Sequence, residues 1–317
     1  VKRVLVRAPK GKEQTVLVFP LVHLVRDNFG EETKIDIVCE RDDAELYSML
    51  DVEASIHVIP ESKQTISGIH HYCYNNCDVF NVDLFLDLTD TFKGSFLGFC
   101  FRSKERVGYN RGLKSIFINR KKEDELLNSF SDRYIHLFKD YNKVDLNSYV
   151  ITKKGNENNN VISMEISPYM LIITNGFFLN SLWKGFLEKL SGIKVIVWDQ
   201  NESEARHLEL VSMSLLPTLE ISVDIRGSLT ELVTLALFSK VVITDVDWAA
   251  NFLSYKGSEV VLLKNSSEQF QTTRYYPNIP KTVLYKESVI EQMIAADVKS
   301  PVTNEQQLVD YIFASYF

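Results

Sequence analysis

Two stretches of the sequence bring together residue types that can do chemistry. His70-His71-Tyr72-Cys73 with Cys77 places two imidazoles and two thiols within eight residues. Zinc prefers that donor set, and the Cys73–Cys77 spacing suits one half of a zinc site. A second Cys or His pair further along is missing, because Cys100 and His207 stand singly. Adjacent histidines rarely aim at one ion, and a partly buried helix face or loop accounts for the same residues. The expectation is therefore no metal. The second stretch runs from Lys93 to Lys122, where nine basic residues meet the single acid Glu105, a local charge of +8 in a chain whose net charge is −7. One reading is a solvated basic face. The other is a surface that attracts an anionic partner, a phosphorylated glycolipid or the inner face of a membrane.

The elements that must position these residues follow from patterning. At 317 residues, with 45% hydrophobic and 24% charged residues, the chain has ordinary globular composition and room for two domains. Short runs rich in Val, Ile, Leu and Phe, without period-two alternation, read as strands buried on both faces of a parallel sheet. They are 3–7, 34–39, 55–59, 83–87 and 115–117, then 170–174, 194–198, 219–223, 241–245 and 259–263. Helical patterns lie between them at 16–28, 42–50, 129–140, 179–191, 203–215, 228–239 and 304–314. Ser228 three residues before Glu231 is a capping-box start.

Strand–helix alternation in both halves predicts an α/β protein with two Rossmann-like, doubly wound domains facing a central cleft. The polar stretch 151–161 (ITKKGNENNNV) marks their boundary. The expected domains are 1–155 and 156–317, with the C-terminal helix able to pack back on the first.

Other classes are excluded or lack support. Four cysteines in a chain this long make no disulfide framework and fit a reducing compartment. No apolar run reaches membrane-spanning length, and the basic first residues lack the apolar core of a signal peptide. A cytoplasmic protein is expected, peripheral at the inner face of the membrane where its basic surface meets it. The acidic net charge argues against a protein that coats nucleic acid. The dinucleotide G-x-G-x-x-G, the G-x-S-x-G elbow, the P-loop and H-E-x-x-H are all absent.

Several stretches together resemble the bacterial lipopolysaccharide heptosyltransferases, glycosyltransferase family nine. The most specific is Val82–Gly112, VDLFLDLTDTFKGSFLGFCFRSKERVGYNRG. It is similar to that family's strand of the YDLVIDLQG type, its helix beginning near a Ser (here Ser95), and its basic loop ending in RIGY (here Arg106-Val107-Gly108-Tyr109). The opening strand, loop and Phe19-Pro20 follow the family's layout, and Gly227–Asp245 resembles the segment that precedes its donor site. The resemblance touches most of the chain. It implies the two-Rossmann GT-B fold and sugar transfer from a nucleotide donor to an anionic glycan or glycolipid.

By this resemblance Glu13 stands where the family carries an acidic base. A count back from Pro20 instead puts Gln14 there, which cannot accept the proton. Asn175 and Gly176 stand for the turn before the family's donor-site helix. Trp183 matches its tryptophan, the lysine position falls on Ser181, and Lys184 is the nearby replacement. Asp245 matches the first residue of the family's D-T-G-x-x-H, but the chain continues Val246-Asp247-Trp248-Ala249-Ala250, with a carboxylate in place of the glycine. The resemblance thus implies donor contacts from Asn175, Gly176, Lys184 and Asp245, and acceptor contacts from Arg102, Lys104, Arg106, Arg111, Lys114 and Arg120. The nucleotide sugar is a co-substrate, and no cofactor is implied. The departures at the donor motif leave a second reading open, a catalytically inactive GT-B scaffold or binding subunit.

Overall fold

The computed structural model describes residues 1–123, 129–151, 169–174, 194–199, 221–224, 228–265, 273–286, 289–292 and 314–316. The chain divides into two compact units, Val1–Lys153 and Lys154–Phe317.

The first unit is a six-stranded sheet of order β3-β2-β1-β4-β5-β6, every pairing parallel. Its strands are β1 (Arg3–Arg7), β2 (Lys34–Cys39), β3 (Ser55–Val58), β4 (Leu84–Asp87), β5 (Glu105–Tyr109) and β6 (Arg120–Lys122). The helices between them are α1 (Lys12–Phe29), α2 (Ala44–Ser48), α3 (Ile66–Asn75), α4 (Phe92–Cys100) and α5 (Phe130–Phe138). Successive side chains on a strand point to opposite faces, so Leu5 and Phe85 enter one layer with Ile69, Tyr72, Cys73, Leu97 and Phe101 from the α3–α4 side. On the other face α1 packs against α5, with Phe29 edge-on to Phe138 at 5.5 Å.

Polar side chains fasten this unit where apolar packing stops. Arg26, buried in the last turn of α1, donates to the carbonyls of Gly30, Glu31, Thr33 and Glu53, and so fastens the turn that follows the helix. Asp36 on β2 accepts from Arg3 Nε at 2.7 Å and bonds His57 Nε2 at 2.8 Å, tying three strands together.

Two sequence expectations change here, and two helix starts become clear. Residues 115–117 are not a strand: Gly112–Ile116 form a 3₁₀ turn. Gly112 enters it at φ 51°, and the Lys114 stem is buried beneath it. The Arg106–Tyr109 stretch, expected in a loop, belongs to β5, and β6 is made of Arg120, Lys121 and Lys122. Both are polar because they lie toward the sheet's edge. Finally, α3 and α4 start on threonine caps, Thr65 Oγ1 accepting from Gly68 N and Thr91 Oγ1 from Gly94 N.

The second unit is a seven-stranded sheet of order β13-β12-β11-β10-β7-β8-β9, in which only the β12–β13 pairing is antiparallel. The strands are β7 (Tyr169–Thr174), β8 (Lys194–Asp199), β9 (Ile221–Asp224), β10 (Val241–Thr244), β11 (Val260–Asn265), β12 (Lys281–Lys286) and β13 (Val289–Gln292). Helix α6 (Leu229–Phe238) carries the expected capping box, Ser228 and Glu231 bonding each other's backbone. Helix α7 (Asp247–Lys256) ends on Gly257 at φ 91°, a left-handed cap that suits glycine. The expected helices 179–191 and 203–215, and 304–313 of the last, lie outside the described residues.

Burial raises the Asp36 carboxyl, but its bonds to His57 and Arg3 outweigh this and hold it below its ordinary 3.8. A folded-state value below the unfolded one adds stability above pH 3.8, which is lost as pH falls through the folded value. Asp36→Asn should cost about 2 kcal/mol at neutral pH. The gap from wild type should close as urea midpoints are followed down from pH 5 to about pH 2. A gap that stays constant with pH would show that the carboxylate charge contributes nothing.

Candidate functional site

In doubly wound sheets ligands bind beyond the carboxyl ends of the strands, where the strand order reverses. In the first unit that point lies between β1 and β4, and a cavity of about 590 Å³ opens there. Its walls come from the end of β1 (Arg7, Pro9, Lys10), the start of α1 (Gln14), the end of β2 (Glu40) and the β4–α4 turn (Leu88 to Thr91, Lys93 and Gly94). Ile69 of α3 and Phe130, Arg133 and Tyr134 of α5 complete it.

The β4–α4 turn is the most tightly specified part. Asp87 is buried and its Oδ1 accepts from Thr89 N at 2.9 Å and Thr89 Oγ1 at 2.7 Å, while Oδ2 accepts from Ser95 Oγ at 2.5 Å. Burial pushes this carboxyl above its ordinary range despite those bonds. Gly94 is required by the close approach: a Cβ there would sit 1.8 Å from Thr89 Oγ1 and 2.9 Å from Asp87 Oδ1.

The turn presents Asp90, which pairs with Arg133 at 2.8 Å, Arg111 at 3.1 Å and Lys114 at 3.1 Å. Burial raises Asp90, yet hydrogen bonds from Arg133 and Lys114 hold it below the usual carboxylate range. Lys114 also donates to the Thr89 carbonyl at 3.0 Å. At the opposite wall Glu40 lies 3.2 Å from Lys10 and 3.8 Å from Arg7. The lining thus holds Arg7, Lys10, Lys93 and Arg133 against Glu40 and Asp90. Both carboxylates are already engaged by cations, so the cavity is electropositive and suits an anionic ligand.

The predicted residues distribute unevenly around this cavity. Glu13 is exposed in the first turn of α1, whereas its neighbour Gln14 lines the cavity and accepts from Tyr134 Oη at 3.2 Å. Arg111 and Lys114 adjoin the cavity through Asp90. Lys104, paired with Asp83 at 2.6 Å, and Arg120, 3.5 Å from Glu105, sit at the amino ends of the strands, the opposite edge of the sheet. Arg106 spends its guanidinium on the Phe117 and Ser103 carbonyls, both at 2.6 Å, and Arg102 lies over the Phe80 ring. The basic run therefore does not form one face. The sequence reading overlooked Arg7, Lys10 and Arg133, and the signal for the first two was position alone, at the end of the first strand.

In the second unit the order reverses between β7 and β10, which pair in register from Met170–Val241 to Ile173–Thr244. Asp245, half-buried, follows β10 at this reversal. Asn175, Gly176 and Lys184, expected after β7, lie outside the described residues. Asp247 in the first turn of α7 is 3.0 Å from Lys264 Nζ of β11. Its carboxylate therefore occupies the anion-favouring end of the helix with its own counter-ion.

Among the described residues no group of three or more His, Cys, Asp or Glu could hold a metal. His70 and His71 are exposed on α3, whereas Cys73 is buried in the core, so the cluster's side chains face different surroundings.

Gly94→Ala should destabilise the protein by about 1–3 kcal/mol through overpacking against Thr89 and Asp87, read as a lower urea midpoint. A midpoint equal to wild type would mean the turn does not close on Asp87.

No protein-family model and no curated protein matches the sequence. Solved structures do match. A glycosyl transferase family 9 protein from Veillonella parvula aligns with a TM-score of 0.72 over 99% of this chain and 96% of its own, at 13% identity. E. coli ADP-heptose LPS heptosyltransferase II aligns at 0.67 over 98% of both chains, at 14% identity. E. coli heptosyltransferase WaaC, solved with ADP, aligns at 0.65 over 99% of this chain and 97% of its own, at 14% identity. The likeness runs through both doubly wound sheets, and the chain has the GT-B fold of these glycosyltransferases.

Proposed function

We propose that this chain is a glycosyltransferase resembling the heptosyltransferases, moving a sugar from a nucleotide donor to an anionic glycan or glycolipid. The observation that carries the reading is the near end-to-end structural likeness to heptosyltransferases, one of them solved with ADP. Fold alone does not assign activity, and the electropositive cavity of the first unit adds the chemistry an anionic acceptor needs. Contact with the inner face of a membrane, from which a glycolipid would be drawn, belongs to the same reading.

In the proposed reaction an acceptor hydroxyl oxygen bonds to the anomeric carbon as the bond from that carbon to the diphosphate oxygen breaks. The hydroxyl proton passes to Glu13 and the nucleoside diphosphate leaves. Asn175, Gly176, Lys184 and Asp245 are the proposed donor contacts, with Lys184 as a point charge on the departing diphosphate. Arg7, Lys93 and Arg133 would hold the acceptor's anionic groups, while Arg111 and Lys114 neutralise Asp90 beside them. The nucleotide sugar is a co-substrate, and the scheme uses no metal. Glu13→Gln should lower kcat by about 10²–10⁴ with KM little changed. An unchanged kcat would remove Glu13 as the base.

The Asp247–Lys264 ion pair favours a second reading, a scaffold whose donor site is closed by its own carboxylate. Calorimetric titration with a panel of nucleotide sugars, ADP-heptose first, separates the two. The enzyme reading expects micromolar binding by the native chain. Binding only after Asp247→Gly would establish the closed site, and silence from both proteins would overturn donor binding altogether.

A further inference from the structure

Helix α4 leaves an apolar stripe partly uncovered, with Phe92 and Phe96 half-buried and Phe99 exposed. Phe92, Phe96 and Phe99 recur at helical spacing on one side of it, while Gly94, Ser95, Leu97 and Gly98 face the sheet. The three rings pack on each other and on Phe117, whose centroid is 5.0 Å from Phe92, 5.2 Å from Phe96 and 5.5 Å from Phe99. Immediately before Phe117, the 3₁₀ turn places Leu113 and Ile116 three residues apart, and so on one side. Leu113 is 77% exposed, Ile116 66% and Phe99 53%. Large apolar side chains usually stand singly on a soluble surface, and a contiguous patch marks an interaction face.

Cations bracket the stripe. Lys93 stands at its cavity end. The Arg106 guanidinium lies 5.9 Å from the Phe99 centroid at its other end, and Arg102 is two residues past the helix. On β6, Lys122 faces α5, since it pairs with Asp140 just after that helix. Strand alternation therefore turns Lys121 to the α4 side. Among the described residues no acidic side chain pairs with Lys93, Arg102 or Lys121. This accounts for the division of the basic run: the part that does not reach the cavity surrounds an apolar stripe. Aromatic and aliphatic groups ringed by lysine and arginine, in a chain of net charge −7, complement a surface that is apolar beneath and anionic on top.

We propose that the face formed by α4, Leu113 and Ile116 docks on an anionic lipid bilayer. Phe99, Leu113 and Ile116 enter the interfacial layer while Lys93, Arg102 and Lys121 meet lipid phosphates. No helix among the described residues is long and apolar enough to cross a membrane, so this contact is peripheral. The start of α4 lines the cavity, and docking along α4 therefore brings that cavity to the membrane surface. The inference rests on the membrane-contact part of the proposed function, but it requires no sugar transfer.

The test is co-sedimentation of the full chain, without donor or acceptor, with vesicles of phosphatidylcholine alone and with added phosphatidylglycerol. The native protein should pellet only with the anionic vesicles. Leu113→Ser with Ile116→Ser, and separately Lys93→Glu with Lys121→Glu, should each weaken binding about tenfold or more. All four positions are exposed, and circular dichroism with melting curves confirms that the variants are folded. Phe99→Trp should show blue-shifted emission when anionic vesicles are added. Absence of vesicle binding, equal binding to neutral vesicles, binding insensitive to the serine pair, or unshifted emission at position 99 would each overturn the proposal. Failure of sugar transfer would leave it intact.

Discussion

A carboxylate buried at the end of a strand organises the first unit. Asp87 could stay exposed at the end of β4; instead it is enclosed, and both of its oxygens are spent on Thr89 and Ser95. Such a group is costly unless every lone pair is met. The turn between β4 and α4 therefore has little freedom. Thr89 must double back onto Asp87, Ser95 must face inward, and the helix must start close enough that only glycine fits at position 94. Three features follow from that geometry: Asp90 projects toward Arg111, Lys114 and Arg133, α4 borders the cavity at its amino end, and Phe99 near its far end is exposed.

The two sheets treat negative charge differently at equivalent places. At the reversal of the first sheet, Glu40 and Asp90 are each held by two or more cations, and Lys93 lines the same space with no acidic partner among the described residues. That arrangement leaves positive potential for an incoming anion. Beside the reversal of the second sheet, Asp247 and Lys264 neutralise one another at the start of α7. An arriving diphosphate would compete with a tethered carboxylate for the helix end and for the lysine. A resident carboxylate can set a threshold for ligand entry as well as close a site.

The sequence made the interior strands legible and the edges obscure. Strands such as β1, β7 and β10 are apolar because almost every residue along them is buried, and that composition is visible without a structure. Strands β5 and β6 read as loop because Arg106, Gly108, Arg120 and Lys121 carry polarity that burial would not allow further inside the sheet. The 115–117 run had strand-like residues, but Lys114 beside it anchors to the Thr89 carbonyl, and a lysine buried by a distant turn leaves no periodic trace. The same limit applies to the site. Arg111 and Lys114 were within reach of a charge count, whereas Arg7 and Arg133 lie 126 positions apart and meet only through the reversal of strand order. The His70–Cys77 cluster shows the converse, since proximity in sequence places exposed imidazoles and a buried thiol on different sides of one helix.

Charge in this chain acts locally, and its segregation says more than its sum. With a Debye length of about 8 Å at physiological salt, an anionic surface responds to the nearest cations and not to the overall −7. The acids that could screen the basic run are already engaged: Asp83 by Lys104, Glu105 by Arg120, Asp90 by three cations and Asp140 by Lys122. Each of those pairs also anchors a cation away from the α4 stripe. Among the described residues Lys93, Arg102 and Lys121 have no acidic partner there, and they stand around the exposed edge of the α4 stripe. A protein that needed those cations only for solubility would gain nothing by keeping Phe99, Leu113 and Ile116 exposed among them. The apolar stripe and the unpaired charges make physical sense together only if one surface receives both.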